Sequence, residues 1–381
     1  MKILLVGEYS RLHNSLKEGL EKLGHDVTLV GKQDGFKKYP VDIKVQSVLP
    51  REGLTNKIIQ ATYKISKVNI YALENALMWY LQLRKLKGFD VVQIYNESIA
   101  KTHTNLEIKL FNVLKKNNKS IFLLSCGIDY ISVNYAFTKK FRYSILTPFL
   151  KNTELKNEFR FILNKLKPNS KRLSDYITNN VNGIIASDMD YHLPLKNHIK
   201  YLGLAPNPIN TDLIQYQPLD VNKKIIIFHG INSSAYVKKG NIYFDKALKI
   251  IEKKYPNKVE IIITRDLPYS NYLQHYKNCH ILLDQVYAYD QGYNALEAMA
   301  RGKVVFTGAE TEWLEHYDLT EDEIAINALP NENSIAKKLE WLIQNPEKIL
   351  EISSAARKFI EKEHDYILAS EKYINIWTKV L

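Results

Sequence analysis

The chain has 381 residues, enough for two or three domains, and its 45% apolar content is typical of a globular protein with sizeable cores. Its two cysteines, Cys126 and Cys279, have no metal-ligand spacing around them, which argues against a disulfide framework or a zinc site. No signal-peptide pattern is present, and no run approaches the roughly 20 apolar residues that a membrane span needs. We therefore expect a cytoplasmic protein.

The net charge of +12 is unevenly distributed. Residues 1–205 contain 32 Lys and Arg against 17 Asp and Glu, a net +15, whereas residues 206–381 contain 21 against 24, a net −3. A basic first half predicts an acidic partner there, such as a membrane surface, a lipid phosphate or a nucleic acid.

The first residues alternate between strand and helix patterns. A buried strand is predicted over 2–7, a helix over 11–23 with Ser10 as its cap, and a second strand over 27–30. This order is typical of a Rossmann-like domain. The Gly-x-Gly-x-x-Gly fingerprint of dinucleotide-binding proteins is absent, which argues against a dehydrogenase.

Further strands are predicted over 89–94 and 120–124, and Asp129 follows the second of them. The connecting residues are Ser125-Cys126-Gly127-Ile128-Asp129, and a polar residue just past a strand end in such a sheet faces the ligand crevice. Two interpretations of Asp129 stay open. It is either part of a functional site or a local turn residue that hydrogen-bonds its own backbone.

Residues 139–172 form the most basic segment, with ten Lys or Arg against two acids, a net +8. Phenylalanine and tyrosine residues alternate with these charges. Such a mixture suits an anionic lipid surface, single-stranded nucleic acid or an ordinary solvated helix face. We predict peripheral contact with an anionic membrane and no nucleic-acid partner, because the nucleic-acid interpretation depends on charge alone.

A second domain is predicted to begin after the stiff connector Ala205-Pro206-Asn207-Pro208. A strand over 224–229 is followed by a loop, by Lys238-Lys239-Gly240 and by a helix over 241–254. A lysine beside the start of a helix suits a diphosphate group, because both the ammonium and the free helix N–H groups attract anions.

Residues 280–312 carry the strongest pattern in the chain. A strand over 280–283 leads through a loop with Gly292 into a helix over 293–301, and a strand over 303–307 follows. In such a unit a ligand lies beyond the carboxyl end of the strand, at the N-terminus of the helix. The free N–H groups and the helix dipole favour a phosphate there.

Glu297 lies among small and apolar residues of that helix, and a carboxylate in such surroundings needs partners. Asp290 lies roughly two helical turns before it. A carboxylate can accept hydrogen bonds from both hydroxyls of a ribose. The alternative, an ordinary exposed glutamate on a surface helix, stays open on spacing alone.

The stretch Glu297-Ala298-Met299-Ala300-Arg301-Gly302-Lys303-Val304-Val305 resembles the donor-site signature of retaining GT-B glycosyltransferases of the family-4 type. The subgroup it resembles makes bacterial surface polysaccharides. Three positions differ from the family pattern. Arg301 replaces a small residue, the first glutamate falls on Tyr289, and an arginine expected before Lys239 is missing, with Ser233 and Lys238 nearby.

The resemblance implies an α/β protein with two Rossmann-like domains that face a central cleft, the GT-B fold. The first domain would span 1–205, completed by a final helix at about 365–381, and the second would span 206–364. The implied reaction moves a sugar from a nucleotide-sugar donor to a glycan or lipid-linked acceptor, with retention of configuration. It needs no cofactor and no bound metal, and it would take place in the cytoplasm or at the inner face of the membrane.

The resemblance also implies residue roles. Asp129 would lie near the acceptor hydroxyl and Asp290 near the donor sugar, both as candidate catalytic residues. The implied donor-binding residues are Lys239, Ser233, Gly292, Tyr293, Asn294 and Glu297. Two alternatives remain, a nucleotide-sugar epimerase of the same architecture and a catalytically silent binding protein.

Overall fold

Two parallel β-sheets organise the chain in a computed structural model, which describes residues 1–32, 39–66 and 68–381. The first sheet has the strand order β3-β2-β1-β4-β5-β6-β7. Its inner strands are almost continuously apolar because helices cover both faces. Its strands are β1 Lys2–Val6, β2 Asp26–Gly31, β3 Ile43–Lys44, β4 Val91–Tyr95, β5 Ser120–Ser125, β6 Gly183–Ala186 and β7 Tyr201–Leu204.

The second sheet has the order β12-β11-β10-β8-β9, and its strands are also parallel. The strand order reverses between β1 and β4 in the first sheet and between β8 and β10 in the second, so each sheet has a crevice at that point. The predicted α/β class is confirmed. The strands are β8 Ile225–Ile231, β9 Val259–Arg265, β10 Ile281–Leu283, β11 Val304–Thr307 and β12 Ile326–Asn327.

Seventeen α-helices connect these strands in the described residues, and none of them is long and apolar enough to cross a membrane. Short 3₁₀ turns and one π turn, Ile360–His364, lie between them. The first-half helices are α1 Leu12–Lys22, α2 Gly53–Ser66, α3 Ile70–Leu83, α4 Thr104–Asn117, α5 Tyr130–Phe137, α6 Thr147–Lys151, α7 Arg160–Leu163, α8 Pro168–Asn180 and α9 Met189–Leu195. The second-half helices are α10 Tyr236–Lys239, α11 Asn241–Lys254, α12 Tyr269–Asn278, α13 Tyr293–Ala300, α14 Thr311–Tyr317, α15 Glu332–Gln344, α16 Pro346–Phe359 and α17 Tyr366–Thr378.

The last helix, α17, returns to the first sheet and packs on α1. The hydroxyl of Ser370 donates to the carbonyl of Leu16 at 3.2 Å, and the contact is so close that a Cβ at Gly19 would lie 2.2 Å from the Tyr366 carbonyl oxygen. Tyr373 and Trp377 join the apolar core of this domain. The chain therefore crosses between the two sheets twice.

The two crossing segments lie side by side. The Ile209 N–H donates to the His364 carbonyl at 2.7 Å, and the Tyr366 N–H donates to the Ile209 carbonyl at 3.0 Å. His364 is buried here, and its Nδ1 lies 2.9 Å from the Asn207 carbonyl oxygen. The predicted boundary at 205/206 falls between β7 and β8. The domain limits 1–205 and 206–364 stay predictions.

The predicted cap of the first helix is wrong. Ser10 and Arg11 have φ values of 53° and 76°, and α1 begins without a side-chain cap from either residue. The carboxylate of Glu8 accepts the Asn14 N–H at 2.8 Å instead. A capping serine normally has an extended backbone, which the left-handed turn at Ser10 prevents.

Candidate active site

The crevice of the second sheet brings Lys239, Asp284 and Asn294 together. Lys239 ends α10, and its Nζ lies 2.9 Å from Oδ1 of Asp284, just past β10. The same oxygen accepts a hydrogen bond from Nδ2 of Asn294 at 2.9 Å. Two predicted donor-binding residues thus share one buried carboxylate. The sequence pattern predicted Asp284 only as the residue that ends a strand and did not identify it as part of the site.

The turn after Lys239 requires glycine. Gly240 has a φ of 72°, and a Cβ there would lie 2.9 Å from Cβ of Val286. The Val286 N–H donates to the Lys239 carbonyl at 2.8 Å. The lysine is therefore held against the loop that follows β10, as the predicted Lys-Gly pair requires.

The N-terminus of α13 opens into the same crevice. Gly292 precedes this helix and offers no side chain to cap its first N–H groups. Asn294 is fixed by two tyrosine hydroxyls, since Tyr272 donates to its Oδ1 at 2.9 Å and Tyr276 to its carbonyl at 2.8 Å. An uncapped helix start beside a lysine is a favourable place for an anion.

Glu297 is only 7% exposed, and its carboxylate has no hydrogen-bond or ion-pair partner among the residues that the structure describes. Burial raises the pKa of neighbouring Tyr293 well above its usual value, and Tyr373, Glu8 and Glu297 raise it further. Glu297 therefore lies where the second domain meets the first. The carboxylate oxygens are unpaired but not enclosed, so a ligand that donates hydrogen bonds can reach them.

Ser233 lies in the exposed loop after β8, where its N–H donates to Asp266 Oδ1 at 2.8 Å. The adjacent residue Arg265 ends β9 and pairs in register with Ile231. Its guanidinium lies 5.1 Å from the ring centre of Tyr236. An arginine from β9 thus reaches the sheet edge near the loop in which this sequence lacks the arginine of the family pattern. Strand register places it there, so sequence spacing gave no signal for it.

Asp129 is 5% exposed and caps α5. Its Oδ1 accepts from the N–H and the hydroxyl of Ser132, at 2.8 and 2.7 Å, and its Oδ2 accepts from the hydroxyl of Ser125. Asp129 therefore does hydrogen-bond the local backbone, which is one of the two interpretations that the sequence left open. Its catalytic role stays a prediction.

Asp290 connects the two halves of the chain. Its Oδ2 accepts the Met189 N–H of the first half at 2.9 Å, and carboxylate oxygens of Asp188, Asp190 and Asp290 lie within 4.8 Å of one another. Burial raises the pKa of all three above the usual range, to about 7 for Asp188, and mutual repulsion adds to the effect at Asp190 and Asp290. The group can share protons or a cation.

Tyr289, in place of the first glutamate of the family pattern, also contacts the first half. Its hydroxyl accepts the Arg142 N–H at 2.8 Å, and the Arg142 guanidinium lies 4.8 Å from its ring centre. Arg142 further forms ion pairs with Glu310 at 2.5 Å and Glu312 at 2.7 Å. The hydroxyl of Tyr143 also donates to Glu310. A loop of the first half thus lies against the predicted sugar end of the site.

The structure removes part of the basis for the predicted membrane contact of residues 139–172, and the contact itself stays a prediction. Phe141, Tyr143, Phe149 and Phe159 are buried, so these rings cannot lie at a membrane surface. These four rings belong to the core, Phe161 is exposed, and Arg142 pairs with the second half.

The comparisons with known proteins agree with this geometry. Residues 236–374 match the protein family described as "Glycosyl transferase-like", whereas no curated protein sequence matches the chain. Sucrose-phosphate synthase of Thermosynechococcus elongatus is similar in structure, with a TM-score of 0.60 at 10% identity over 100% of this chain and 98% of that one. Anabaena HepE bound to UDP has a TM-score of 0.56 at 13% identity over 100% of both chains.

A Listeria monocytogenes protein described as a UDP-N-acetylglucosamine 2-epimerase is also similar, with a TM-score of 0.52 at 11% identity over 98% of this chain and 94% of that one. At these identities the likeness establishes the fold. The chain has the GT-B glycosyltransferase fold, as predicted.

Proposed function

We propose that this protein is a glycosyltransferase that moves a sugar from a nucleotide-sugar to a glycan or lipid-linked acceptor. Glu297 carries this proposal, because its carboxylate has no partner among the described residues and is not enclosed. It lies on the helix whose uncapped start faces Lys239. A nucleoside diphosphate offers matching groups, since its ribose hydroxyls can donate to the carboxylate and its phosphates can bind the cation and the helix N–H groups.

The leaving diphosphate would be stabilised by Lys239, by Arg265 and by the N–H groups around Gly292, Tyr293 and Asn294. Ser233, in the loop after β8, would contact the phosphates of the donor. Charge that develops on a leaving group is stabilised most by donors that are already in place. We propose that these groups suffice without a bound metal, as the family resemblance implies.

Asp290 would face the donor sugar and Asp129 the acceptor hydroxyl, with retention of configuration at the transferred carbon. Asp290 lies at the junction of the two halves, which supports its place near the reacting groups. Asp129 would have to exchange a hydrogen bond from Ser125 or Ser132 for one from the acceptor. We place the acceptor domain at 1–205 with 365–381 and the donor domain at 206–364, and the product in a cell-surface polysaccharide.

Replacement of Glu297 by Gln tests the proposal directly. The amide keeps the shape but loses the charge, so UDP affinity in calorimetry should fall by about 1–3 kcal/mol, the usual cost of a charge-assisted hydrogen bond. Glu315→Gln, on the exposed face of α14, is the matched control and should leave UDP affinity unchanged. Equal affinity of wild type and Glu297→Gln would contradict the proposal.

Product analysis separates the alternatives. With UDP-sugars and no acceptor, slow release of UDP together with free sugar indicates a transferase, and the anomer of the glycosylated product in NMR tests retention. Conversion of the donor to its epimer would indicate the epimerase, whose fold this chain shares. UDP binding without any turnover would indicate a silent binding protein.

A further inference from the structure

Exposed apolar side chains concentrate in one part of the first half. Of the 22 large apolar residues that are exposed in the described chain, nine lie between Val48 and Tyr80. Single exposed apolar residues are ordinary, but a concentration within 33 residues indicates a contact surface. The basic segment 139–172 contributes only Phe161 to the same set.

Helix α2 carries the main stripe. Leu54, Ile58, Ala61 and Ile65 recur at intervals of four, three and four residues, which places them on one face. The three large residues are 75%, 59% and 87% exposed, whereas Ile59, on a different face, is buried. The helix is therefore held by Ile59 and presents its apolar stripe to solvent.

Cations flank this stripe. Lys57 and Lys64 lie one residue before Ile58 and Ile65, both are exposed, and neither has an ion-pair partner in the described part of the chain. Lysines beside an apolar stripe can extend their ammonium groups toward phosphates while the stripe enters an apolar phase.

Helix α3 adds a second stripe of the same kind. Leu73, Leu77 and Tyr80 are exposed at intervals of four and three residues, and exposed Arg84 follows four residues later. Beside Leu73, an open groove of about 450 Å³ is also lined by His103 and Arg172. Apolar groups and cations therefore occur together on both helices.

We propose that the exposed faces of α2 and α3 form a docking surface for a bilayer that contains anionic lipid. The charge decides between this partner and a second copy of the chain. In a symmetric dimer the same patch of both copies forms the interface, so the lysines that flank the stripe would be gathered into one contact, and like charges repel. An anionic leaflet supplies the opposite charge together with an apolar layer at the depth that the stripe needs.

Flotation of the intact protein with vesicles tests this surface. Phosphatidylcholine vesicles with phosphatidylglycerol should carry the protein upward, and pure phosphatidylcholine should not. The double change Ile58→Ser with Ile65→Ser should weaken binding at least about tenfold, because it removes two side chains that enter the interface. The control is Ile199→Ser with Leu213→Ser, which are equally exposed apolar residues elsewhere and should change nothing.

Reversal of lysine charges tests the electrostatic part of the proposed docking surface. Lys57→Glu with Lys64→Glu should abolish flotation, whereas Lys139→Glu with Lys140→Glu, from the basic segment, should retain most of it. Equal losses in both pairs would overturn the proposal, as would failure of the folded protein to float. Light scattering that shows a dimer dissociated by the Ile58 and Ile65 changes would identify a second copy as the partner instead. UDP affinity stays the same in every arm, so this test is independent of the proposed function.

Discussion

Two buried carboxylates near the central cleft differ in one respect. Asp129 of the first domain and Glu297 of the second are 5% and 7% exposed, yet Asp129 accepts hydrogen bonds from Ser125 and Ser132, and Glu297 has no partner in the described residues. The two residues are thus buried to a similar extent, but the oxygens of Asp129 are paired within the fold, whereas those of Glu297 are unpaired and remain accessible.

The presence or absence of partners within the protein distinguishes a structural carboxylate from one that is available to a ligand. A satisfied buried carboxylate stabilises its own surroundings, so its removal costs folding energy. An unpaired one that remains accessible contributes little to folding, so its replacement should act mainly on ligand binding. We therefore expect substitutions in the crevice of the second sheet to affect UDP binding and turnover. Substitutions at Asp129 should first affect the free energy of unfolding.

The largest effect is expected at Lys239. Lys239→Ala removes the cation beside the start of α13, so turnover of a UDP-sugar should fall on the order of 10²-fold, as for the loss of one preorganised transition-state donor. Steady-state release of UDP measures it. Thermal unfolding should also show a modest loss, since Asp284 would keep only Asn294 as a side-chain partner within the described part of the chain.

Lys238→Ala is the control for Lys239→Ala. Lys238 is the neighbouring residue of the same helix and has no ion pair in the described residues, so its removal should change turnover little. Similar losses in the two variants would contradict the role of Lys239 and indicate a general effect of positive charge at this edge.

The fold and part of the site were accessible from sequence. Strands and helices around Lys239 and Glu297 follow local apolar periodicity and glycine placement, so they could be predicted. The contacts of Arg142 with Tyr289 and Glu310 could not, because 147 residues or more separate these partners. Arg265 reaches the edge only through the register of β8 and β9, and the exposed stripe of α2 follows from how the helix is held by Ile59.

A smaller effect is expected at Asp129. Asp129→Ala removes the cap of α5 and should lower the free energy of unfolding by about 1 kcal/mol, typical of a lost helix cap. UDP affinity should stay at the wild-type value, because the residue lies in the first domain. Urea unfolding and calorimetry measure the two quantities. A large loss of UDP affinity in the folded variant would contradict the contrast with Glu297.

The smallest effect concerns pH and the three carboxylates between the domains. The pKa of Asp188 is raised to about 7, and those of Asp190 and Asp290 are raised well above the usual value, whereas in an unfolded chain aspartate titrates at about 3.9. Between these values the folded protein holds protons that the unfolded chain has released. Stability from this group is therefore present at low pH and is lost as the pH rises through about 7.

Asp290→Asn tests this sign, because the amide oxygen can still accept the Met189 N–H but cannot ionise. Buried His13 and His364, with pKa values lowered to about 4, act in the opposite direction, since their contribution is lost as the pH falls below about 6.5. Both histidines are present in wild type and variant, so the difference between the two stability curves isolates the carboxylates. In urea unfolding, the variant should lose less stability than wild type between about pH 5 and pH 8. Parallel curves would show that Asp290 is already ionised at pH 5 in the folded protein, so that its pKa is not raised.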